Sequence, residues 1–104
     1  MAAYRVVLIT TKTDEAEELA DQIIAHRLAA CVNIINNVKS VFRWKGEVKK
    51  ETETILLAKT HAKTVENLIK FVRENHSYEV PEVLSIGVDE GNPDYLDWLH
   101  EETG

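Results

Sequence analysis

The sequence predicts an α+β fold: two β-α-β units sharing one antiparallel sheet, with a long β-hairpin and an extra C-terminal helix. Three observations carry that expectation. The apolar period switches along the chain between runs typical of strands and the 3.6-residue spacing of helices. Two long strand-like segments meet at a Lys45-Gly46 turn. Pro81 and Asn92-Pro93 then punctuate the C-terminal third, one before a strand and one before a helix. With 104 residues, 44% of them hydrophobic, the chain has the size of a single domain, 1–104, and is too apolar for a disordered one.

The first element runs from Tyr4 to Thr11. Its Val6-Val7-Leu8-Ile9 core is continuous, as suits a strand flanked by neighbours and covered on its face. Asp14 offers an N-cap, with Glu17 three residues on. Ala16, Leu19, Ala20, Ile23 and Ile24 then form one helical stripe, ending near Arg27.

Cys31 to Trp44 reads as a long strand in which Val32, Ile34, Val38, Phe42 and Trp44 share one parity. Asn36-Asn37 interrupts it as a bulge or bend. Glu47 to Thr60 returns as the partner strand. Helical spacing resumes from Thr64 through Val65, Leu68, Ile69 and Val72, and Pro81 stops any continuation. Val83 to Val88 is the last strand, and Asn92-Pro93 opens a short helix through Tyr95, Leu96 and Leu99. This order is that of the ferredoxin-like split β-α-β sandwich. A fourteen-residue strand spans about 45 Å, whereas a domain of this size has a radius of gyration near ~13 Å. The hairpin must therefore overhang or bend, and Phe42, Trp44 and Val48 near its far end call for a cover such as a second subunit.

Composition excludes several functions. The net charge of −6 disfavours a nucleic-acid partner and tolerates cationic ones, metal ions included. No run reaches the ~20 apolar residues of a membrane helix, and no signal segment is evident, so a cytoplasmic location is expected. One cysteine forms no internal disulfide. The four histidines fall at unrelated spacings, so no local metal cage is encoded. Cys31 reads first as a small buried hydrophobe and otherwise as a thiolate ligand for a soft metal. Ser40, Ser77 and Ser85 lack a nucleophile-elbow context, no glycine-rich phosphate loop exists, and no enzyme is expected. The segment His76 to Glu82 packs histidine, tyrosine and two carboxylates beside a proline, which marks either a functional loop or a solvated connection.

Four stretches, Arg27-Leu28-Ala29-Ala30-Cys31-Val32-Asn33, Phe42-Arg43-Trp44-Lys45-Gly46-Glu47, His76-Ser77-Tyr78-Glu79-Val80-Pro81-Glu82 and Tyr95-Leu96-Asp97-Trp98-Leu99, resemble in order the CutA family of divalent-cation tolerance proteins. The resemblance implies a cytosolic homotrimer whose hairpins reach across to neighbours, an architecture similar to the PII signalling proteins, and a role in tolerance to divalent metals, copper especially. Two residues depart from the family: Phe42 stands where Tyr is usual, and Ser77 where Pro is usual. On this footing Cys31, His76 and Glu82 are the expected metal ligands, for copper or zinc, with no metal needed for folding. Trp44, Lys59, Tyr78 and Glu79 are expected to line an inter-subunit pocket, and Phe42, Trp44, Val48 and Trp98 an oligomer interface. The alternative is a PII-like trimer that takes a small ligand or a protein partner in its clefts.

Overall fold

A computed structural model describes residues 2–104. The chain runs β1 (Tyr4–Thr11), α1 (Thr13–Ala25), β2 (Cys31–Trp44), β3 (Glu47–His61), a 3₁₀ turn at Ala62–Thr64, α2 (Val65–Asn75), β4 (Val83–Val88) and α3 (Pro93–Glu101). The sheet order is β2-β3-β1-β4 with every neighbouring pair antiparallel, the ferredoxin-like topology. Strand β1 thus lies inside the sheet, which accounts for its continuous apolar run.

Helices α1 and α2 cover one sheet face. Leu19, Ala20 and Ile23 of α1 and Leu68 and Val72 of α2 close on Val7, Ile9, Leu56 and Ala58. Residues of opposite parity face the other way. Val6, Leu8, Ile55 and Leu57 are half-buried there, while Leu84 and Ile86 stay 55% and 51% exposed. That face is apolar and largely open.

Three boundaries differ from the expected ones. The N-cap of α1 is Lys12, not Asp14, and no side chain caps it. The Thr13 hydroxyl lies 2.9 Å from the Thr54 hydroxyl, tethering the first turn to β3, while Asp14 and Glu15 meet the positive helix end within that turn. The helix stops at Ala25, because Arg27 turns left-handed (φ 57). The N–H groups of Arg27 and Leu28 then donate back to the carbonyls of Ile24 and Ile23, each at 3.0 Å, in a Schellman closure. Arg27 also fastens the C-terminus, donating to the carbonyls of Glu101 (2.8 Å) and Gly104 (3.1 Å). Strand β3 runs one residue past Thr60, to His61. The start of α3 follows expectation: Pro93 leads it, and the Asn92 side chain accepts from the Asp94 N–H at 3.1 Å.

The hairpin turns through Lys45 (φ 50) and Gly46 (φ 82), the two positive φ values of a type I′ turn. Its strands of 14 and 15 residues give the molecule a long axis of 44 Å against 26 and 23 Å for the others. The hairpin overhangs the core, as its length requires.

Candidate functional site

The bulge in the hairpin creates the site. Ile35 pairs with Ile55 and Val38 with Glu53, so Asn36 and Asn37 both stand opposite Thr54. Asn37 takes a left-handed φ of 60, and Thr54 donates to the Asn36 side chain at 2.9 Å, fixing the extra residue in place. Before the bulge, Val32 and Ile34 pair with Ala58 and Leu56 on the helix-covered face. After it, Val38, Ser40 and Phe42 pair with Glu53, Glu51 and Lys49 on the opposite face. The single parity expected from Val32 to Trp44 therefore does not keep one face; the bulge turns Phe42 and Trp44 over.

A cleft of about 640 Å³ opens between this stretch of hairpin and the segment that follows α2. Trp44 and Phe42 form an aromatic wall, Tyr78, Glu79, Val80 and Glu82 the facing one, and Glu51, Glu53 and Lys49 line the strand between. The facing wall is held by His76. Its Nδ1 accepts the Tyr78 N–H (3.1 Å), which leaves Nε2 to donate to the Thr10 carbonyl (2.7 Å). Both ring nitrogens are engaged, and the imidazole packs against Tyr78 at a tilt of 52° with 4.5 Å between centroids. Tyr78 in turn donates its hydroxyl to Glu53 at 2.7 Å. The phenol is pushed well above its ordinary value, first by burial, then by that hydrogen bond and by the negative charges of Glu53, Glu51 and Glu15. Tyr78 therefore stays a donor.

Glu53 is the unusual group. It is only 7% exposed, and among the described residues no lysine, arginine or histidine pairs with it. Lys45 reaches Glu79 instead, at 3.5 Å across the mouth, an exposed pair of little weight. Thr10 offers Glu82 a hydrogen bond at the long distance of 3.5 Å.

The expected site residues separate into two groups. Phe42, Trp44, Tyr78, Glu79 and Glu82 meet at the cleft, with His76 behind Tyr78. Cys31 and Lys59 pair with each other at the far end of the sheet. Lys59 lies across from Val6, four residues along β1 from the Thr10 that holds His76, which is about 13 Å at ~3.3 Å per residue. Within the chain, then, Cys31 does not join His76 and Glu82. Among the described residues no three His, Cys, Asp or Glu side chains converge as metal ligands. Cys31 instead neighbours Tyr95, whose phenol is raised by burial and by that thiol, and Tyr95 packs on Trp98 at 5.5 Å. Val48 pairs with Arg43 on the other face of the hairpin and is 60% exposed. Phe42 and Trp44 are half-buried and line the cleft opposite Tyr78, Glu79 and Val80. The sequence reading passed over Glu51 and Glu53. Their signal was two acids at strand spacing, Glu51-Thr52-Glu53, opposite Ser40 and Val38.

Comparison with known proteins bears on the family and the fold. The family model for CutA1 divalent ion tolerance protein matches residues 5–102. A divalent-cation tolerance protein CutA from Thermus thermophilus is 45% identical over 100 residues, 95% of this chain and 97% of its own length. The solved structure of that organism's protein superposes with a TM-score of 0.94 at 43% identity, covering 97% and 99% of the two chains. Mouse Protein CutA is 43% identical over 88 residues, 85% of this chain, but the chain spans only 50% of the mouse protein's length. A protein from Nostoc described as PII-like protein CutA in apo form superposes with a TM-score of 0.92 at 32% identity, covering 96% and 97%.

Proposed function

This chain belongs to the CutA1 divalent ion tolerance family, and from that premise we propose that it binds divalent cations in the hairpin cleft, as a cytoplasmic homotrimer serving metal tolerance. One observation carries the reading: Glu53 is a buried carboxylate with a phenol partner and no cation, in a cleft shared with Glu51, Glu79 and Glu82. A buried charge without a counter-charge is costly, and a divalent ion drawn to these oxygens offsets that cost. Zinc and copper both accept carboxylate oxygen. Because no three ligands are preassembled, the ion keeps part of its water or draws ligands from a neighbouring subunit. Cys31 enters the site only at such a boundary. With both nitrogens engaged, His76 positions Tyr78 rather than ligating. The open apolar face carrying Leu84 and Ile86 supports association. The lone free cysteine agrees with a reducing compartment. The role is binding rather than turnover, since Tyr78 holds its proton and Cys31 stands away from the cleft.

A second reading has its own support. About 640 Å³ with an aromatic wall at Trp44 and Phe42 exceeds what a bare ion fills, which favours a small organic ligand bound in PII-like fashion. Native mass spectrometry with a modest excess of Cu²⁺ or Zn²⁺ separates the two. The metal reading expects a trimer with a fixed whole number of ions, and an affinity about tenfold weaker (~1.4 kcal/mol) in the double variant Glu53→Gln, Glu82→Gln. A trimer with no metal, or with a ragged distribution the variant leaves unchanged, refutes it in favour of the organic ligand.

A further inference from the structure

The overhanging half of the hairpin carries a charge opposite to that of the body. Residues 38–52 hold five lysines and arginines against two glutamates, a net of +3, which leaves −9 on the rest of a chain whose total is −6. The cations are also sorted between faces. Lys39, Val41 and Arg43 of β2 stand opposite Thr52, Lys50 and Val48 of β3, so these six share one face. All six are exposed, Val41 by 64% and Val48 by 60%. No carboxylate belongs to this face, because Glu47, Glu51 and Glu53 pair with Trp44, Ser40 and Val38 on the other. Lys50 is the diagonal neighbour of both Lys39 and Arg43, close enough for like charges to repel. None of the three forms an ion pair among the described residues. Packing within the chain explains neither the crowded cations nor the bare valines.

A matching surface lies on α1. The helix has five carboxylates and no lysine or arginine. Ala16, Leu19, Ala20 and Ile23 face the core, which leaves Asp14, Glu17, Asp21 and Ile24 along the outer side with Glu18 beside them, all exposed. None of these acids forms an ion pair among the described residues. Ile24 adds an apolar side chain to the acidic stripe, as the valines do to the basic face. The two surfaces have similar lengths. Lys39 to Arg43 spans about 13 Å at ~3.3 Å per strand residue, and Asp14 to Asp21 about 10 Å at ~1.5 Å per helix residue. Within one chain they form no ion pair, since α1 is tied at Thr13 to Thr54, at the base of the overhang, and runs back over the core.

We propose that the basic face of the hairpin docks on the acidic stripe of α1 in a second copy of this chain. Every copy carries both halves of the contact, which is what favours a copy over an unrelated acidic protein. The contact uses different surfaces on the two partners, so it is heterologous and runs head to tail. It is distinct from the open apolar face of Leu84 and Ile86 and independent of what the hairpin cleft binds. Exposed charges dominate it, so salt weakens it, screening these groups within about 8 Å at physiological ionic strength.

The test is size-exclusion chromatography with light scattering on the full chain, in about 20 mM and about 500 mM NaCl. The expected result is one fixed mass at high salt and heavier, concentration-dependent species at low salt, with an apparent affinity at least tenfold higher. Charge reversal on the hairpin (Lys39→Glu, Arg43→Glu, Lys50→Glu) or on α1 (Glu17→Lys, Glu18→Lys, Asp21→Lys) leaves only the high-salt mass at low salt. Mixing the two variants restores the heavier species, because each then meets the complementary charge. A parent that keeps one mass across the salt range overturns the proposal without any variant, and saturable binding of polyglutamate by that parent would assign the hairpin face to a different, acidic protein. A reversal that leaves low-salt association intact also overturns it. So does a mixture that fails to reassociate although both variants match the parent in far-UV circular dichroism.

Discussion

At the scale of single residues, two groups give the protein opposite pH limits. His61 is pushed below the ordinary imidazole value by burial first, then by His100 and Lys63. Its Nδ1 accepts the Lys63 N–H at 3.1 Å, its ring stands edge-on to His100 at 5.0 Å, and Tyr4 packs on it from β1. The unfolded chain takes up the proton near ~6.5 while the folded one resists, so this stability is complete above that pH and is lost as pH falls through the ordinary histidine range. Tyr78 works in the other direction. Its raised value means that the unfolded phenol ionises near 10.0 while the folded one does not, so stability is complete below that pH and declines above it. Melting temperatures measured between pH 5.5 and 11 should form a dome. His61→Gln should flatten the limb between pH 7 and 5.5, and Tyr78→Phe the alkaline limb. A limb that keeps its slope in the matching variant removes that residue as its cause. Neither effect was legible in the sequence, where His61 is one of four unspaced histidines and Tyr78 one residue of a polar loop. Their behaviour comes from partners such as Glu53, 25 positions away, and His100.

At the scale of elements, the bulge is the decisive feature. Asn37 holds φ 60, a conformation that Asn and Gly tolerate and a β-branched residue does not. Asn37→Val should cost about 1–2 kcal/mol in urea denaturation, whereas Asn37→Gly should stay within about 0.5 kcal/mol of the parent. Equal losses in both would mean that the Asn37 side chain, not its backbone angle, is what matters. The strands, helices and type I′ turn were readable because each is a local pattern: alternation, a helical stripe, Lys45-Gly46, Asn92-Pro93. The Asn36-Asn37 interruption was readable as well, but its consequence was not. Parity carried straight through it would have left Phe42 and Trp44 on the side of Val32 and Ile34. The N-cap of α1 went to Lys12 for a related reason, since the tie from Thr13 to Thr54 joins residues 41 apart.

At the scale of the whole molecule, α1 and α2 cover one side of the sheet, while Leu84 and Ile86 on the other side stay exposed. Ile86→Asp on the open face should leave the far-UV circular dichroism intact and, if that face joins subunits, convert the assembly to monomers by size-exclusion chromatography with light scattering. A variant that keeps the parent's mass places the contact elsewhere. The family was legible because its motifs are contiguous in sequence. The division of the expected site residues into a Cys31–Lys59 end and a Tyr78–Glu82 end was not, because it depends on register across three strands.

The place of β1 inside the sheet has a consequence in time. Tyr4 must find Val88 on one side and His61 on the other, so the first strand of this sheet has no partner until β3 has been made. The β2–β3 hairpin is local and zips in microseconds, but closing β1 against β4 joins nearly opposite ends of the chain and is the slow, topology-limited event. On the ribosome, the apolar run Val6 to Ile9 is therefore the segment exposed longest, and the one a chaperone has most time to hold.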